Sequence, residues 1–393
     1  MKVLAGIDIL RDQEFSYLKG KSIGVLCNQA SIDQQCQHIL QLLLPLHQKG
    51  ILRIQAVFGP QHGLWGHTQD NMIEWEGYKD PYSELTIYSL YGKHRKPTNA
   101  MLSDLDIMLV DLPDIGSRYY TFIWTMALTM EACAENKISL MVLDRPNPIN
   151  GNISEGTILE NEYKSFVGLY PLLQRHGMTI GEIATYLQQE YMPKLQQQII
   201  LMKGWSRKYY YPETELPWAL PSPNMPSWET ALVYPGMCLL EGTNLSEGRG
   251  TTRPFEIFGA PWINGRALCQ KLNRLDLPGV FFRPVQFLPT FQKHRDIICE
   301  GGFIHVTDRE SFRPVLSGIA LLKEILLDYD RDFRWNDPPY EYEYQKKPID
   351  ILLGNGWLRF MMEEQKNLAE IRQRMDTEQQ EFEKTRQNHL LYD

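Results

Sequence analysis

The chain has 393 residues, 43% of them hydrophobic, and its 40 Lys and Arg residues against 48 Asp and Glu residues give a formal net charge of −8. A chain of this length and composition can bury a large core and is expected to form two domains. The acidic balance, without a run of Lys or Arg residues, argues against a nucleic-acid-binding protein.

The cysteines and the hydropathy pattern bear on the cellular compartment. No two of the six cysteines have the C-x-x-C spacing of a zinc or redox site, so we expect buried free thiols. The N-terminus turns acidic too early for a signal peptide, and no apolar stretch approaches the roughly 18 residues of a membrane span. These features predict a soluble, cytoplasmic protein that does not insert into a membrane.

The first part of the chain alternates apolar strand patterns with helical patterns. The predicted strands are Ser22–Cys27, Leu52–Phe58, Leu85–Leu90, Asp106–Val110 and Ile138–Leu143, and the predicted helices are Ile32–Gln48 and Ser117–Glu135. Strands without polar alternation, separated by helices, indicate a parallel sheet covered on both faces. We therefore predict a Rossmann-like, doubly wound α/β domain over residues 1–170. The chain has no G-x-G-x-x-G or Walker A motif, so nucleotide binding is not supported.

From about Pro171 the pattern changes to a mixture of helices and short strands. We predict a smaller α+β domain over residues 171–393 that binds the substrate. A long amphipathic helix from about Trp357 to His389 is expected to pack on this second domain. The other expected elements are the helices Thr179–Met192 and Ser317–Asp328 and the strands Ile199–Lys203 and Gly302–Thr307.

Each apolar strand of the predicted sheet is followed by polar or ionisable residues. The carboxyl ends of parallel strands meet at one edge of a sheet, where doubly wound proteins bind their ligands. We therefore expect one crevice, formed by Asn28, Gln61, His62, Asp111, Asp114, Asp144 and Arg145.

Most of these residues also have a structural interpretation. Asp111 and Asp144 are equally suited to capping helices or tying loops, and His62, before Gly63, is equally suited to bonding a backbone carbonyl. Asp114 precedes a predicted helix and is suited to capping it. These alternatives stay open on the sequence alone.

The first turn of the predicted helix after Ser117 holds Arg118 and Tyr119, close to the expected crevice. There Arg118 can bind a carboxylate together with free backbone N–H groups. The spacing of His62 and His67 falls in an apparent Gly-rich loop and is a poor pattern for a metal site. We expect neither a metal nor a cofactor.

The segment Glu241–Pro254 has neither helical nor strand periodicity and predicts a loop. Its glycines let the backbone approach a ligand, and its polar groups suit a polyhydroxylated or anionic small molecule. An ordinary solvated surface loop is the alternative. The polar residues include Asn244, Glu247, Arg249 and Arg253. If Glu247 pairs with one arginine, we expect the other to meet an anion.

A series of ordered motifs runs along essentially the whole chain. They are Gly59–Gly63 (GPQHG), Tyr88–Gly92, Asp111–Thr121, Leu143–Pro148, Ser165–Pro171, Arg175–Thr179, Leu220–Pro226, the Glu241–Pro254 loop, Pro339–Glu343 and Pro348–Asp350. On these motifs the chain resembles the exo-lytic β-N-acetylmuramidase family, long classed as a domain of unknown function.

The resemblance implies a Rossmann-like domain, a smaller α+β domain and a cleft between them. It also implies removal of N-acetylmuramic acid from the non-reducing end of peptidoglycan fragments, so an amino sugar or muropeptide is the expected partner. The lactyl carboxylate of that sugar would pair with Arg249 or Arg253. The other residues expected to bind substrate are Asn28, Arg118, Tyr119, Asp144, Arg145, Asn224, Asn244 and Glu247.

One position departs from the family, which usually has a glutamate where this chain has Gln61. That glutamate is the natural catalytic acid, and an acid contributes about 10²–10⁴-fold to rate. Three outcomes are open. Glu74 or Glu76 has taken over the role; the substrate's acetamido group, oriented by Asp111 or Asp114, assists; or the protein binds amino sugars without hydrolysing them.

We expect a working glycoside hydrolase, with Glu74 as the acid and Asp111 or Asp114 stabilising the transition state. Gln61 and His62 are expected to position the substrate.

Overall fold

A large sheet organises the first half of the molecule, for which a computed structural model describes residues 2–70 and 72–393 of the chain. Its strands are β1 (Ser22–Cys27), β2 (Arg53–Gly59), β3 (Tyr78–Lys79), β4 (Thr86–Ser89), β5 (Ile107–Asp111), β6 (Ser139–Leu143) and β7 (Gln197–Ile200). Within the described residues they pair in the order β3-β4-β2-β1-β5-β6-β7. β3 and β4 are antiparallel, and the other pairs are parallel.

Helices cover both faces of this sheet. Successive strand residues point to opposite faces, so neighbouring residues of one strand contact different helices. The helices are α1 (Gly6–Asp12), α2 (Ile39–Gln48), α3 (Phe122–Asn136) and α4 (Ile180–Tyr191). Val25 of β1 lies in one core cluster with Ile7 of α1 and Leu43 of α2. The next residue, Leu26, lies in the other cluster with Trp124 of α3. The predicted Rossmann-like, doubly wound α/β architecture is confirmed.

The helix predicted from Ile32 begins only at Ile39. The Asp33 carboxylate accepts hydrogen bonds from the backbone N–H groups of Gln35 and Gln37, which holds the intervening stretch in a turn. Short polar side chains compete with helical hydrogen bonding in this way.

The helix predicted from Ser117 begins at Phe122. The backbone N–H of Arg118 donates to the carbonyl of Gln174, so this stretch is tied to a distant loop before the helix starts. The expectation that Arg118 and Tyr119 lie in the first helical turn is therefore wrong.

The large sheet draws on sequence beyond its predicted limit. β7 pairs with β6 in parallel, and α4 packs on both of these strands. The domain boundary predicted at residue 170 therefore falls inside the sequence that builds this sheet.

A smaller α+β unit follows, as predicted. Its described strands β8 (Ile257–Ala260), β9 (Val280–Phe287) and β10 (Cys299–Val306) form an antiparallel sheet in the order β8-β10-β9. The helices around it are α5 (Tyr211–Thr214), α6 (Trp228–Met237), α7 (Gly265–Arg274), α8 (Pro314–Asp328) and α9 (Pro348–Leu353). Short 3₁₀ turns occupy Ser16–Leu18, Asn161–Tyr163, Cys238–Gly242 and Gln387–His389.

The C-terminal segment forms two helices, α10 (Trp357–Glu363) and α11 (Leu368–Arg386), where the sequence predicted one. α11 contacts both domains, since its Arg374 stacks on the ring of Trp357 in α10 and its C-terminal end contacts the first domain. Arg386 donates to the carbonyls of Gly151 and Gly177 in the first domain at 2.8 and 2.6 Å. These buried carbonyls need donors, and the helix supplies them. No helix in the described part of the chain is long and apolar enough to cross a membrane.

Candidate active site

A pocket lies where the loops after β2 and before α3 meet the second domain. The first domain lines it with aromatic, amide and imidazole groups, and the second domain adds two carboxyl groups and a guanidinium. The lining residues are Gln61, His62, Tyr119, Tyr120, Thr121, Val167, Ser222, Asn224, Met225, Tyr234, Glu241, Arg249, Phe255, Tyr340 and Glu341.

Glu341 is the most unusual group in the pocket. Its side chain is buried and accepts hydrogen bonds from the Tyr91 hydroxyl at 2.8 Å and from Gln61 Nε2 at 3.2 Å. Burial raises its pKa to about 7, and the nearby charge of Glu241 adds to the rise, whereas the Tyr91 hydrogen bond opposes it. Near neutral pH this carboxyl therefore exists both as an acid and as its conjugate base, as proton transfer requires.

The backbone around Glu341 is strained. Glu341 and Tyr342 have φ values of +44° and +68°, and Tyr340 and Glu343 exchange backbone hydrogen bonds of 2.9 Å in both directions. A tight turn with two left-handed central residues favours Asn and Gly, and larger residues cost about 1–2 kcal/mol each. Strain of this kind clusters at functional sites, because neighbouring contacts must hold it in place.

Gln61 is held by hydrogen bonds at both ends of its amide. The Thr121 hydroxyl donates to Oε1 at 2.5 Å, and Nε2 donates to Tyr91 at 3.0 Å and to Glu341. An amide carries its donor and acceptor on different atoms, so these partners set its orientation. Gln61 connects Thr121, at the start of α3, to the carboxyl of Glu341.

His62 is a neutral imidazole at the other side of this loop. Its Nδ1 lies 2.7 Å from the Thr68 carbonyl, which only accepts hydrogen bonds, so Nδ1 carries the proton and Nε2 keeps a lone pair. Burial, together with the charge of Arg249, lowers its pKa to about 4, against the opposing effect of the Thr68 hydrogen bond. The structural interpretation of His62 is therefore correct in part, since it does bond a backbone carbonyl.

The second carboxylate of the pocket, Glu241, is ion-paired. Arg249 Nη1 lies 2.7 Å from Glu241 and 3.1 Å from Glu247, and Lys293 approaches Glu247 at 2.9 Å. The Tyr340 hydroxyl also donates to Glu241 at 2.6 Å. Burial lowers the pKa of Arg249, but the two carboxylates outweigh it and raise that pKa. Arg249 is therefore a fixed positive charge in the pocket wall.

Five of the residues expected at the site line this pocket: Gln61, His62, Tyr119, Asn224 and Arg249. Asn224 donates to the carbonyl of Gln69 at 3.0 Å and so anchors the loop after β2. Tyr119 donates to the carbonyl of Pro235 at 3.0 Å. These two residues shape the pocket as well as line it.

The residues at the ends of β1, β5 and β6 do not line this pocket. Asp111 and Arg145 form a two-pronged ion pair of 2.6 and 2.9 Å. Asn28 donates to the Pro221 carbonyl at 2.9 Å. Asp144 accepts from Thr179, Gly181 and Tyr392 and is fully buried. The loop-tying interpretation of Asp111 and Asp144 describes what they do in this structure.

Arg118 is not available to a substrate. Its guanidinium is fully buried and donates to the carbonyls of Thr157, Leu172 and Leu352 at 3.0, 2.9 and 2.6 Å. Three carbonyls use its donors, so the expected carboxylate contact is replaced by contacts that join the two domains. Asp114 accepts from the N–H of Gly116 at 2.8 Å, a local tie that does not cap α3.

Glu74, the predicted acid, is exposed and lies outside the pocket. Asn244 joins backbone groups of Asp332 and Arg334 on the second domain. Arg253 is 50% exposed and pairs with Glu256. Arg249, which pairs with Glu247, therefore lines the pocket, whereas Arg253 does not. The loop sequence indicated the reverse, that the arginine not paired with Glu247 would meet the anion.

Sequence reasoning missed Glu241, Glu341, Tyr91, Thr121 and Tyr340 as parts of the site. Glu241 is the first residue of the Glu241–Pro254 loop, and Glu341 lies in the Pro339–Glu343 motif. Both segments were identified from the sequence, but neither glutamate was assigned to the site. The sequence did not reveal that these glutamates are buried. A Glu between two tyrosines is expected on the surface, and only the fold shows that Glu341 is buried. Within residues 2–70 and 72–393, no three His, Cys, Asp or Glu side chains are grouped as metal ligands.

Comparison with known proteins gives consistent matches over the whole chain. Residues 23–229 match the family model described as exo-β-N-acetylmuramidase NamZ, N-terminal, and residues 232–392 match its C-terminal counterpart. The chain is 44% identical over 391 residues to the peptidoglycan β-N-acetylmuramidase NamZ of Bacillus subtilis (strain 168), covering 100% of this chain and 92% of the relative.

Two solved structures of DUF1343 family proteins from Bacteroides fragilis NCTC 9343 share the fold. One has a TM-score of 0.88 at 32% identity, and the other a TM-score of 0.76 at 27% identity. Each match covers 100% of this chain and 99% of the compared chain.

Glu341→Gln is expected to flatten the dependence of stability on pH. The folded protein binds the Glu341 proton more tightly than the unfolded chain does, so the stabilisation is full below about pH 4.5 and is lost as the pH rises to about 7. A shift of this size corresponds to roughly 3 kcal/mol in the free energy of unfolding. Denaturant titrations of both proteins at several pH values across this range measure it.

Other buried carboxyls, such as Asp144 and Glu155, also have raised pKa values because of burial. They titrate in both proteins, so the difference between the two curves isolates Glu341. Parallel curves would contradict a raised pKa for this carboxyl.

Proposed function

The chain belongs to the exo-β-N-acetylmuramidase NamZ family, and we propose that it is an exo-acting glycoside hydrolase that releases N-acetylmuramic acid from the non-reducing ends of peptidoglycan fragments. The observation that carries the proposal is the buried carboxyl of Glu341, with a pKa of about 7, in a pocket that also holds Glu241. Glycosidases use two carboxyl groups in different protonation states around the scissile bond.

Glu341 is the proposed acid. Its protonated form donates a proton to the glycosidic oxygen as the bond to the departing sugar breaks. Burial raises its pKa, which keeps a large fraction of the carboxyl protonated near neutral pH. This assignment replaces Glu74, which is exposed outside the pocket.

Glu241 is the proposed stabiliser of the positive charge that develops on the sugar ring. It takes the role that the sequence suggested for Asp111 or Asp114, which do not line this pocket. Arg249 and Tyr340 hold its carboxylate in place, so little reorganisation is needed when charge develops.

The pocket keeps an acid although Gln61 replaces the usual glutamate, because Glu341 supplies the carboxyl and Gln61 donates a hydrogen bond to it. A glutamate at this position, as the family resemblance implies, would put two carboxyls within hydrogen-bond distance, and such a pair shares one proton. With an amide at 61, Glu341 accepts a hydrogen bond from Nε2 and titrates alone. The departure at Gln61 is therefore compatible with hydrolysis.

Arg249 is the proposed partner of the lactyl carboxylate that distinguishes N-acetylmuramic acid from other amino sugars. It lines the pocket, and a guanidinium suits a carboxylate geometrically. A second cation, Lys293, pairs with Glu247 and offsets part of the negative charge of Glu241 and Glu247. This makes it easier for a further anion to bind beside Arg249.

A cytoplasmic location is also proposed. All six cysteines are unpaired, and five of them are buried. Free thiols persist in reducing compartments.

Glu341→Gln is expected to lower kcat about 10²–10⁴-fold, the usual contribution of a catalytic acid. The amide keeps the size of the side chain and removes its proton. Release of a chromophore from an N-acetylmuramic acid glycoside measures the loss. Glu74→Gln is the matched control and should stay within about twofold of wild type. A large loss in the control with none at Glu341 would return the acid role to Glu74.

Gln61→Glu is expected to keep activity and to move its alkaline limit upward. In wild type, kcat/KM should fall as the pH rises through about 7, because Glu341 then loses its proton. A second carboxyl beside it raises the pKa at which the pair loses its last proton. The pH profiles of kcat/KM compare the two. An inert wild type with an active variant would favour a sugar-binding protein over an enzyme.

Arg249→Lys is expected to reduce kcat/KM for N-acetylmuramic acid glycosides at least tenfold. Lysine keeps the charge but loses the planar fork. The same change should matter less for N-acetylglucosamine glycosides, which lack the lactyl group. Arg253→Lys is the matched control, since Arg253 is half exposed. Equal losses for both sugars would refute recognition of the lactyl carboxylate by Arg249.

A further inference from the structure

A second pocket lies at the carboxyl ends of β1, β5 and β6. In the sheet order, β1 lies between β2 and β5, so the chain winds outward in opposite directions from the β1–β5 junction. Doubly wound proteins bind ligands at such a switch point. The pocket is where the sequence predicted a crevice, yet the catalytic proposal above uses none of its lining residues.

Aromatic and proline side chains form the apolar wall of this strand-end pocket. Tyr211 and Trp218 meet edge to face, with ring centroids 4.8 Å apart. The Tyr211 hydroxyl donates to the Pro217 carbonyl at 2.7 Å, and Trp218 Nε1 donates to the Met225 carbonyl at 3.3 Å. Both rings are therefore held in place, which gives a preformed flat surface.

Another part of the pocket wall carries hydrogen-bonding atoms that have no hydrogen-bond partner among the described residues. Arg145 uses Nε and Nη2 on Asp111 and on the Ile32 carbonyl, and its Nη1 makes no hydrogen bond to a described residue. Asp114 is 6% exposed, and its Oδ1 has no hydrogen-bond partner among the described residues. A buried polar atom without a partner is costly unless a ligand or water supplies one.

The charges around the pocket select the kind of ligand. The pocket is lined by the carboxylates of Asp33 and Asp114 and by the guanidinium of Arg145. Behind them, Arg11 pairs with Asp33, Asp111 pairs with Arg145, and the His176 ring lies 3.1 Å from Asp114. The formal balance is negative, which disfavours a phosphate or carboxylate ligand. An ammonium ligand has only donors and cannot satisfy Arg145. A neutral ring with hydroxyls fits, because a hydroxyl both donates and accepts and a pyranose has an apolar face for Trp218.

We propose that the strand-end pocket is a second carbohydrate site, which binds one uncharged pyranose of the N-acetylglucosamine type. The choice of this sugar rests on the proposed function, since the substrate is a glycan. Its source is either free sugar or a residue of the same glycan strand.

The two pockets share a wall. Ala219 and Pro221 line the strand-end pocket, and Ser222 and Asn224, a few residues on, line the catalytic pocket. A sugar that braces this segment from one side therefore acts on the wall of the other pocket.

Titration calorimetry with N-acetylglucosamine and with its β-1,4-linked trimer tests the site. We expect the wild-type protein to bind at least one of them. Ala219→Trp, which fills the pocket, and Trp218→Leu, which removes its flat surface, should each weaken binding at least tenfold. Trp65→Leu is the matched control, because Trp65 is 50% exposed and lies outside both pockets. Circular dichroism checks that each variant folds.

Loss of binding in Ala219→Trp and Trp218→Leu separates this site from the catalytic pocket, because neither residue lines that pocket. Tighter binding of the trimer, with a raised KM for long glycan strands in Ala219→Trp, identifies a strand residue as the occupant. Equal binding of both sugars, with a changed kcat on a chromogenic monosaccharide substrate, identifies free sugar.

The proposal is overturned if neither sugar binds, if both pocket variants bind like wild type, or if N-acetylmuramic acid competes as well as N-acetylglucosamine. These readouts do not require turnover. Loss of the proposed hydrolase activity and loss of this site are therefore separate results.

Discussion

The hydrogen bond from Gln61 to Glu341 joins residues that are 280 positions apart in the chain. One partner lies in the loop after β2, and the other lies in a strained turn close to the C-terminal helices. Tyr91 reinforces the contact, and Arg95 stacks on the ring of Tyr342 at 3.8 Å. The acidic pocket exists only because these two segments meet, and the contacts between them offset the cost of the left-handed backbone at Glu341.

This meeting requires the two domains to hold one relative position. Buried arginines supply much of that constraint, since Arg118 donates to carbonyls on both sides of the interface and Arg386 ties α11 back to the first domain. Each such donor satisfies carbonyls that would otherwise be buried without a partner. A pocket built in this way is preorganised, which suits electrostatic stabilisation of a transition state.

The same edge of the large sheet carries two pockets of different character. The catalytic pocket lies where the loops after β2 and before α3 meet the second domain, and it gathers ionisable groups from both domains. The strand-end pocket lies over β1, β5 and β6, and its carboxylates are largely committed to arginines. One segment, Ala219–Met225, divides them. Of the residues predicted to form one crevice at the strand ends, Asp114 and Arg145 line the second pocket, and Gln61 and His62 line the first.

The amino-acid sequence by itself determined the elements and the architecture. Unbroken apolar runs such as β1 and β5 identify buried parallel strands, because only residues covered on both faces lack polar alternation. It also determined the family, through motifs spread over the whole chain, and it pointed to Gln61, His62 and Arg249, three residues that line the pocket. The side-chain hydrogen bonds of Asp33 hold a turn, so α2 begins later than predicted. The sequence did not reveal this turn, because helical periodicity is a stronger signal than a single turn-forming Asp.

Tertiary structure decided which carboxyls line the pocket. Glu74 and Glu341 both lie beside aromatic residues in the sequence, and nothing local separates them. Burial raises the pKa of Glu341, which is bonded to Tyr91 and Gln61 inside the pocket, whereas the side chain of Glu74 is exposed outside the pocket. The same is true of the arginines. Arg118 joins the two domains because it donates to carbonyls as far away in the chain as Leu352. Arg249 pairs with the nearby Glu241 and Glu247, but the fold alone places that cluster in the wall of the pocket. Burial and long-range partners set ionisation and availability, and both depend on contacts between segments that are far apart in the chain.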